Sequence, residues 1–211
     1  ILKKKIIKKK FFYLISPNRI KNNSFYKNLE DLFRTKKISF FQLRLKKERK
    51  KNQLIIGKKI NKICKKYKVK FIINDDPYLA KKLNASGCHL GQKDMNIIKA
   101  RKILKNKIIG LTCHNSKILI KKAILNKADY IALGAFYETK TKKTKFRARL
   151  KLISETKKLT DIPIVAIGGI TSKNYKNLLL HKANFLAISG YIWNNKKLTP
   201  KEAISLLNYE N

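Results

Sequence analysis

Eight short runs of apolar, β-branched or aromatic residues punctuate this chain, and the stretches between them carry helical spacing. The runs are Phe11–Ser16, Ile38–Leu43, Lys70–Ile73, Cys88–Leu90, Lys107–Thr112, Tyr130–Leu133, Pro163–Ile167 and Phe185–Ile188. Between them, Leu54–Ile56 through Ile60, Ile63 and Cys64 repeat with the period of an amphipathic helix, as do Ile118 and Leu119 through Ala123 and Leu125. Strands that alternate with helices imply βαβ units and a parallel sheet. Eight of them favour a closed (β/α)8 TIM barrel over an open sheet, and 211 residues hold one such domain with brief loops. The expected layout is a basic arm over residues 1–10 followed by a barrel over residues 11–211.

A barrel of this kind collects its chemistry at the C-terminal ends of its strands. The polar residues follow that rule. Gln42 and Arg44 end the second strand, Asn74 and Asp75 the third, and Asp94 follows the fourth. Thr112 and His114 end the fifth, the loop from Thr139 to Lys143 follows the sixth, Gly168 and Gly169 close the seventh, and Ser189 the eighth. One mouth is expected to gather them.

Charge is the other conspicuous property, with 52 Lys and Arg against 12 Asp and Glu, a formal net charge of +40. Dense cations suggest a polyanion partner. Here they are spread over every expected helix, and no recognition helix, zinc spacing or aromatic stacking motif accompanies them. The better reading is a solvated lysine coat, with no specific nucleic acid as partner. Cys64, Cys88 and Cys113 form no CxxC pair, which fits a reduced, cytoplasmic setting and gives them no metal. The start, ILKKKIIKKKFFYLIS, has a basic head, but its apolar run is shorter than the roughly 7–15 residues of a secretory segment. It reads as an arm before a first strand. No stretch approaches the roughly 20 apolar residues of a membrane span, so no membrane partner is expected.

Gln42, Arg44 and Lys46 occupy alternate positions, so an extended backbone projects all three to one side. A guanidinium can grip two phosphate oxygens, and an ammonium adds a mobile charge. Asp75 and Asp94 suit Mg²⁺, which takes one or two protein carboxylates and draws its other ligands from water and substrate phosphates. The alternative for each is a helix cap, and Asp76, just before Pro77, is the stronger cap candidate. Thr139, Thr141 and Lys142 offer hydroxyls and a cation for a phosphate. Val165 to Thr171 reads as a strand opening into a helix through Gly168 and Gly169, where bare amides can approach an anion. Two anion sites facing one mouth imply two phosphorylated substrates.

In order, the segments FQLRLK, FIINDD, GCHLGQKDM, IIGLTCH, YETKTK, VAIGGI and AISG resemble those of the thiamine-phosphate synthase family, from Phe11 to about Trp193. The resemblance implies a transferase that joins 4-amino-2-methyl-5-hydroxymethylpyrimidine diphosphate to 4-methyl-5-hydroxyethylthiazole phosphate and releases diphosphate. It implies that Gln42, Arg44, Lys46, Asn74, Thr112 and Lys142 bind the pyrimidine diphosphate, with Arg44, Lys46, Lys142 and Thr112 serving catalysis. Asp75 and Asp94 would hold Mg²⁺, and Thr139, Thr141, Gly169, Ile188 and Ser189 the thiazole phosphate. No general base is needed, so His89 reads as a buried, satisfied histidine. The chain departs from the family pattern at Ala135 and Glu138, where proline is expected, and over Thr144–Arg149, which lacks an expected glycine. The run Phe136–Thr139 also resembles the related thiazole tautomerases, in which a histidine at the place of His114 moves a proton; that is the alternative function. A homo-oligomer is compatible with either.

Overall fold

The computed structural model of the protein describes residues 11–20, 22–139 and 146–208. Eight parallel strands close into a barrel in chain order. The strands are β1 (Phe12–Ile15), β2 (Ile38–Leu43), β3 (Lys70–Asn74), β4 (Gly87–Leu90), β5 (Ile108–His114), β6 (Tyr130–Gly134), β7 (Ile164–Ile167) and β8 (Phe185–Ile188). Between them lie α1 (Ser24–Arg34), α2 (Lys50–Lys66), α3 (Pro77–Lys82), α4 (Ile97–Leu104), α5 (Lys117–Leu125), α6 (Lys151–Leu159) and α7 (Tyr175–Leu180). Two short helices, α8 (Gly190–Trp193) and α9 (Pro200–Ser205), follow the last strand. All eight expected runs are strands, each within about two residues of its expected ends. The basic arm over residues 1–10 lies outside the described residues.

Side chains alternate across the barrel wall, as strand geometry requires. Phe12, Leu14, Phe41, Leu43, Phe71, Ile73, Cys88 and Leu90 point outward and join the helices in one large buried cluster. Tyr13, Ile15, Ile72, Tyr130, Ala132, Val165 and Ala187 point inward and form a second, smaller cluster. Phe40 and Phe185 pack edge to face with ring centroids 4.9 Å apart, and Tyr13 stacks on Phe40 at 5.3 Å. Together with Ile108 these rings stopper the N-terminal end of the barrel. Above them the interior is open toward the C-terminal ends of the strands. All three cysteines are buried and unpaired, and burial pushes the Cys113 thiol up to about 12.

Local chemistry sets several loops that shape the mouth. Asp76 caps α3, its carboxylate accepting from the Leu79 amide at 3.0 Å with Pro77 in the first turn. Asn96 caps α4 and Ser116 caps α5 in the same way. Because Asp76 and Asn96 do this work, Asp75 and Asp94 are left to face the barrel. The glycine pair differs from expectation: α7 begins only at Tyr175, after a turn held by Asn174, which accepts from the Thr171 amide and donates to the Gly169 carbonyl. Gly168 and Gly169 therefore lie in a loop ahead of the helix. Both have positive φ, +107° and +63°, and a Cβ on Gly169 would meet the Glu138 carbonyl oxygen at 2.1 Å.

Candidate active site

The open end of the barrel holds one cavity of about 910 Å³. Its walls include Gln42, Arg44 and Lys46 after β2, Asn74 and Asp75 after β3, His89 and Asp94 from β4 and its loop, and Thr112 and His114 of β5. Thr139, Gly169, Ile188 and Ser189 complete the other side. Every described residue expected at the site reaches this cavity; Thr141 and Lys142 lie outside the described residues. The alternation of Gln42, Arg44 and Lys46 persists past the end of β2, since Leu43 and Leu45 between them are buried among the helices.

Asp75 and Asp94 meet. Their carboxyl groups are close enough to shift each other's pKa, and Lys46 Nζ lies 2.7 Å from Asp75 Oδ2. Burial opposes ionisation of Asp75, but the neighbouring Asp94 carboxyl and the Lys46 ammonium outweigh it and hold its pKa below the usual value. Burial and the neighbouring Asp75 raise that of Asp94, partly offset by the Gly91 amide, which donates to Asp94 Oδ2 at 2.7 Å. Two neighbouring carboxylates that shift each other's pKa in opposite directions form an arrangement that a cation would relieve. Among the described residues no group of three or more His, Cys, Asp and Glu converges. Two hard oxygen donors beside an open cavity nevertheless suit a small divalent ion whose other ligands come from water and phosphate. Asp75 itself has φ of +64° and His114 of +52°, conformations sparsely populated by residues with a Cβ and held here at the mouth.

Arg44 is anchored through Nη1 to Asn18 Oδ1 at 3.1 Å. Burial lowers its pKa, with Asp75 pulling the other way. A partly desolvated guanidinium with no described carboxylate in salt-bridge contact is a ready partner for a phosphate.

Deeper in, a chain of hydrogen bonds crosses the barrel. Gln42 Nε2 donates to Tyr13 Oη, Tyr13 Oη pairs with Tyr130 Oη, Tyr130 Oη with His89 Nδ1, and His89 Nε2 with Thr112 Oγ1, each at 2.8 Å. With Gln42 as donor, the order that uses every hydroxyl proton runs from Tyr13 to Tyr130 to His89, leaving the imidazole proton on Nε2. Burial pushes both phenols well above their ordinary pKa. His89 is thus satisfied, as expected, yet it also lines the cavity. Tyr13 and Tyr130 were not legible as site residues, because each reads locally as strand filler. The one local signal is Gly110, where a Cβ would strike the Tyr130 ring at 1.9 Å.

On the far side, the Ser189 hydroxyl donates to the Ser16 carbonyl at 3.3 Å. The Ile188 side chain is buried against the helices, so only its backbone is available to a ligand. Glu138, which stands where the family pattern has proline, is 94% exposed and pairs with Arg147 at 3.6 Å. Its carboxylate is thereby partly balanced beside the expected phosphate site.

A family model described as thiamine monophosphate synthase matches residues 12–192. Thiamine-phosphate synthase of Pelagibacter ubique is 69% identical over 206 residues, which are 98% of this chain and 100% of that protein. Thiamine-phosphate synthase of Erythrobacter litoralis is 36% identical over 198 residues, 92% of each chain. Among solved structures, thiamine phosphate pyrophosphorylase from Pyrococcus furiosus superposes with a TM-score of 0.81 at 24% identity, covering 95% of this chain and 97% of that one. At that identity the structural likeness speaks to the fold alone.

Proposed function

The chain belongs to the thiamine monophosphate synthase family, and from that premise we propose that it joins 4-amino-2-methyl-5-hydroxymethylpyrimidine diphosphate to 4-methyl-5-hydroxyethylthiazole phosphate. The observation that carries this reading is the convergence of a carboxylate pair, a cationic strip and a glycine loop on one cavity. Gln42, with Asn74, addresses the polar edge of the aminopyrimidine at the deep end. Arg44 and Lys46, joined by Thr112 and by Lys142, take the diphosphate oxygens. Asp75 and Asp94 hold Mg²⁺, which when bound neutralises charge on the departing diphosphate. Thr139, Thr141, Gly169, Ser189 and the Ile188 backbone hold the thiazole phosphate.

The carbon–oxygen bond from the pyrimidine methylene to diphosphate breaks, and diphosphate leaves with the electron pair. Positive charge developing on the methylene spreads into the electron-rich ring. The thiazole nitrogen then supplies the pair for the new carbon–nitrogen bond. No proton moves, so the protein's contribution is to fix the two rings and to oppose charge on the leaving group. Arg44, held by Asn18, and Lys46, beside Asp75, are the cations that oppose the charge growing there. A tautomerase has no diphosphate to expel and would leave this cationic strip and the carboxylate pair without a role.

The test is formation of thiamine phosphate from the two substrates with and without Mg²⁺, in the unaltered chain and in Asp75→Ala and Arg44→Ala. Turnover that needs the metal and falls at least about a hundredfold in both variants is expected, the size of losing one aligned electrostatic contact. Unchanged turnover in both would falsify the assignment of these residues to the diphosphate and its metal.

A further inference from the structure

The rim between β5 and β6 carries an aromatic pair that none of these phosphate or metal assignments uses. The Phe146 ring lies against the His114 imidazole, with centroids 4.6 Å apart and planes inclined at 31°. Both line the cavity, together with Leu119 of α5. Phe146 remains 46% exposed, so much of its ring faces open space beside the mouth.

Several contacts hold the pair in place. Asn115 Nδ2 donates to the Arg147 carbonyl at 3.2 Å, and Arg147 Nη1 donates to the Phe136 carbonyl at 3.3 Å. The Ala148 amide donates to the Ala135 carbonyl at 2.9 Å, which pins the chain just after Phe146 to the end of β6. On the other side, His114 adopts a positive φ where the pairing of β5 with β6 slips its register between Thr112 and His114. Backbone of this kind persists where the surroundings over-determine it, commonly at ligand clamps.

The groups assigned to the phosphorylated nucleophile, Thr139, Gly169, Ile188 and Ser189, address its phosphate and leave its flat ring without a planar partner. The interior rings, Tyr13 and Tyr130, lie at the deep end with Gln42. Among the described residues, Tyr191 also brings a ring to the cavity beside Ser189, but its hydroxyl is buried, whereas Phe146 offers an exposed planar apolar surface on the rim, where Thr139 also lines the cavity. We propose that Phe146, backed by His114, is a positioning residue that stacks on the sulfur-containing heteroaromatic ring of the nucleophile and sets the angle at which its nitrogen approaches the methylene. Offset ring stacking and sulfur–aromatic contact are the forces involved. This inference rests on the function proposed above.

Steady-state kinetics of the full chain with both substrates and Mg²⁺ test it, using Phe146→Ala, Phe146→Leu and Phe146→Tyr. In Ala and Leu variants that melt as the unaltered chain does, KM for the thiazole phosphate is expected to rise roughly three- to tenfold, the range of one aromatic contact. KM for the pyrimidine diphosphate should stay put, and Tyr should restore the thiazole value. An unchanged thiazole KM in Phe146→Ala, an equal rise for both substrates, or a Leu variant as good as the unaltered chain would overturn the inference while leaving the transferase reading intact. Absence of product from the unaltered chain would take both down together.

Discussion

The carboxyl groups of Asp75 and Asp94, carried on loops after adjacent strands, lie close enough to act on each other's ionisation. Their pKa values are pushed apart, Asp75 down and Asp94 up. Binding of a divalent cation by both carboxylates draws on the ionised form of Asp94, which its raised pKa disfavours. Mg²⁺ affinity is therefore expected to weaken as pH falls through the raised Asp94 value, sooner than an ordinary carboxylate pair would dictate. Calorimetric titration with Mg²⁺ from about pH 8 to about pH 5 reads this directly. Asp94→Asn should lower affinity and flatten the profile, and a profile identical in the variant and the unaltered chain would count against the coupling of the two carboxylates. The stability signs are opposite for the two groups. The lowered Asp75 value adds stability above its unfolded pKa, lost on acidification through the folded one; the raised Asp94 value subtracts stability at neutral pH and stops doing so in acid.

Tyr130→Phe removes the hydroxyl that links Tyr13 to His89 and leaves His89 Nδ1 without that partner. A buried polar group deprived of its partner costs about 1–3 kcal/mol. A fall of that size in the free energy of chemical denaturation is expected. KM for the pyrimidine diphosphate should rise as well, because Gln42 is oriented through Tyr13. If both quantities stay unchanged, the chain of hydrogen bonds has no structural weight.

Tyr191 presents the opposite case. Its hydroxyl is buried with no hydrogen-bond partner among the described residues, at a residue lining the cavity. Tyr191→Phe removes an unsatisfied group and is expected to leave stability unchanged or raise it by about 1 kcal/mol. Urea denaturation of the two proteins decides it, and a loss of more than about 1 kcal/mol would mean the hydroxyl is satisfied by something else, such as an ordered water.

The wall of the barrel was readable because strand and helix periods differ, and because this chain keeps them distinct from β1 to β8. The rim was readable wherever function sits next to a strand end, as with Gln42, Arg44, Asp75 and Asp94. Asp76 could be told from Asp75 because the proline after it marks the cap. What was hidden needed the third dimension. Tyr13 and Tyr130 are 117 positions apart and touch only once the barrel closes. Phe146 reads as one more residue in a basic loop until Asn115 and Ala135 fasten its neighbours beneath His114. A strand followed by Gly-Gly reads locally as the start of a helix, and Asn174 delays that start by tying down the turn.

With Phe40 and Phe185 sealing its far end, the barrel is a cup with a single lip. Two reactants must go in over that lip and two products come back out over it. Entry and exit therefore share one opening, because the packed rings of Phe40 and Phe185 occupy the opposite end.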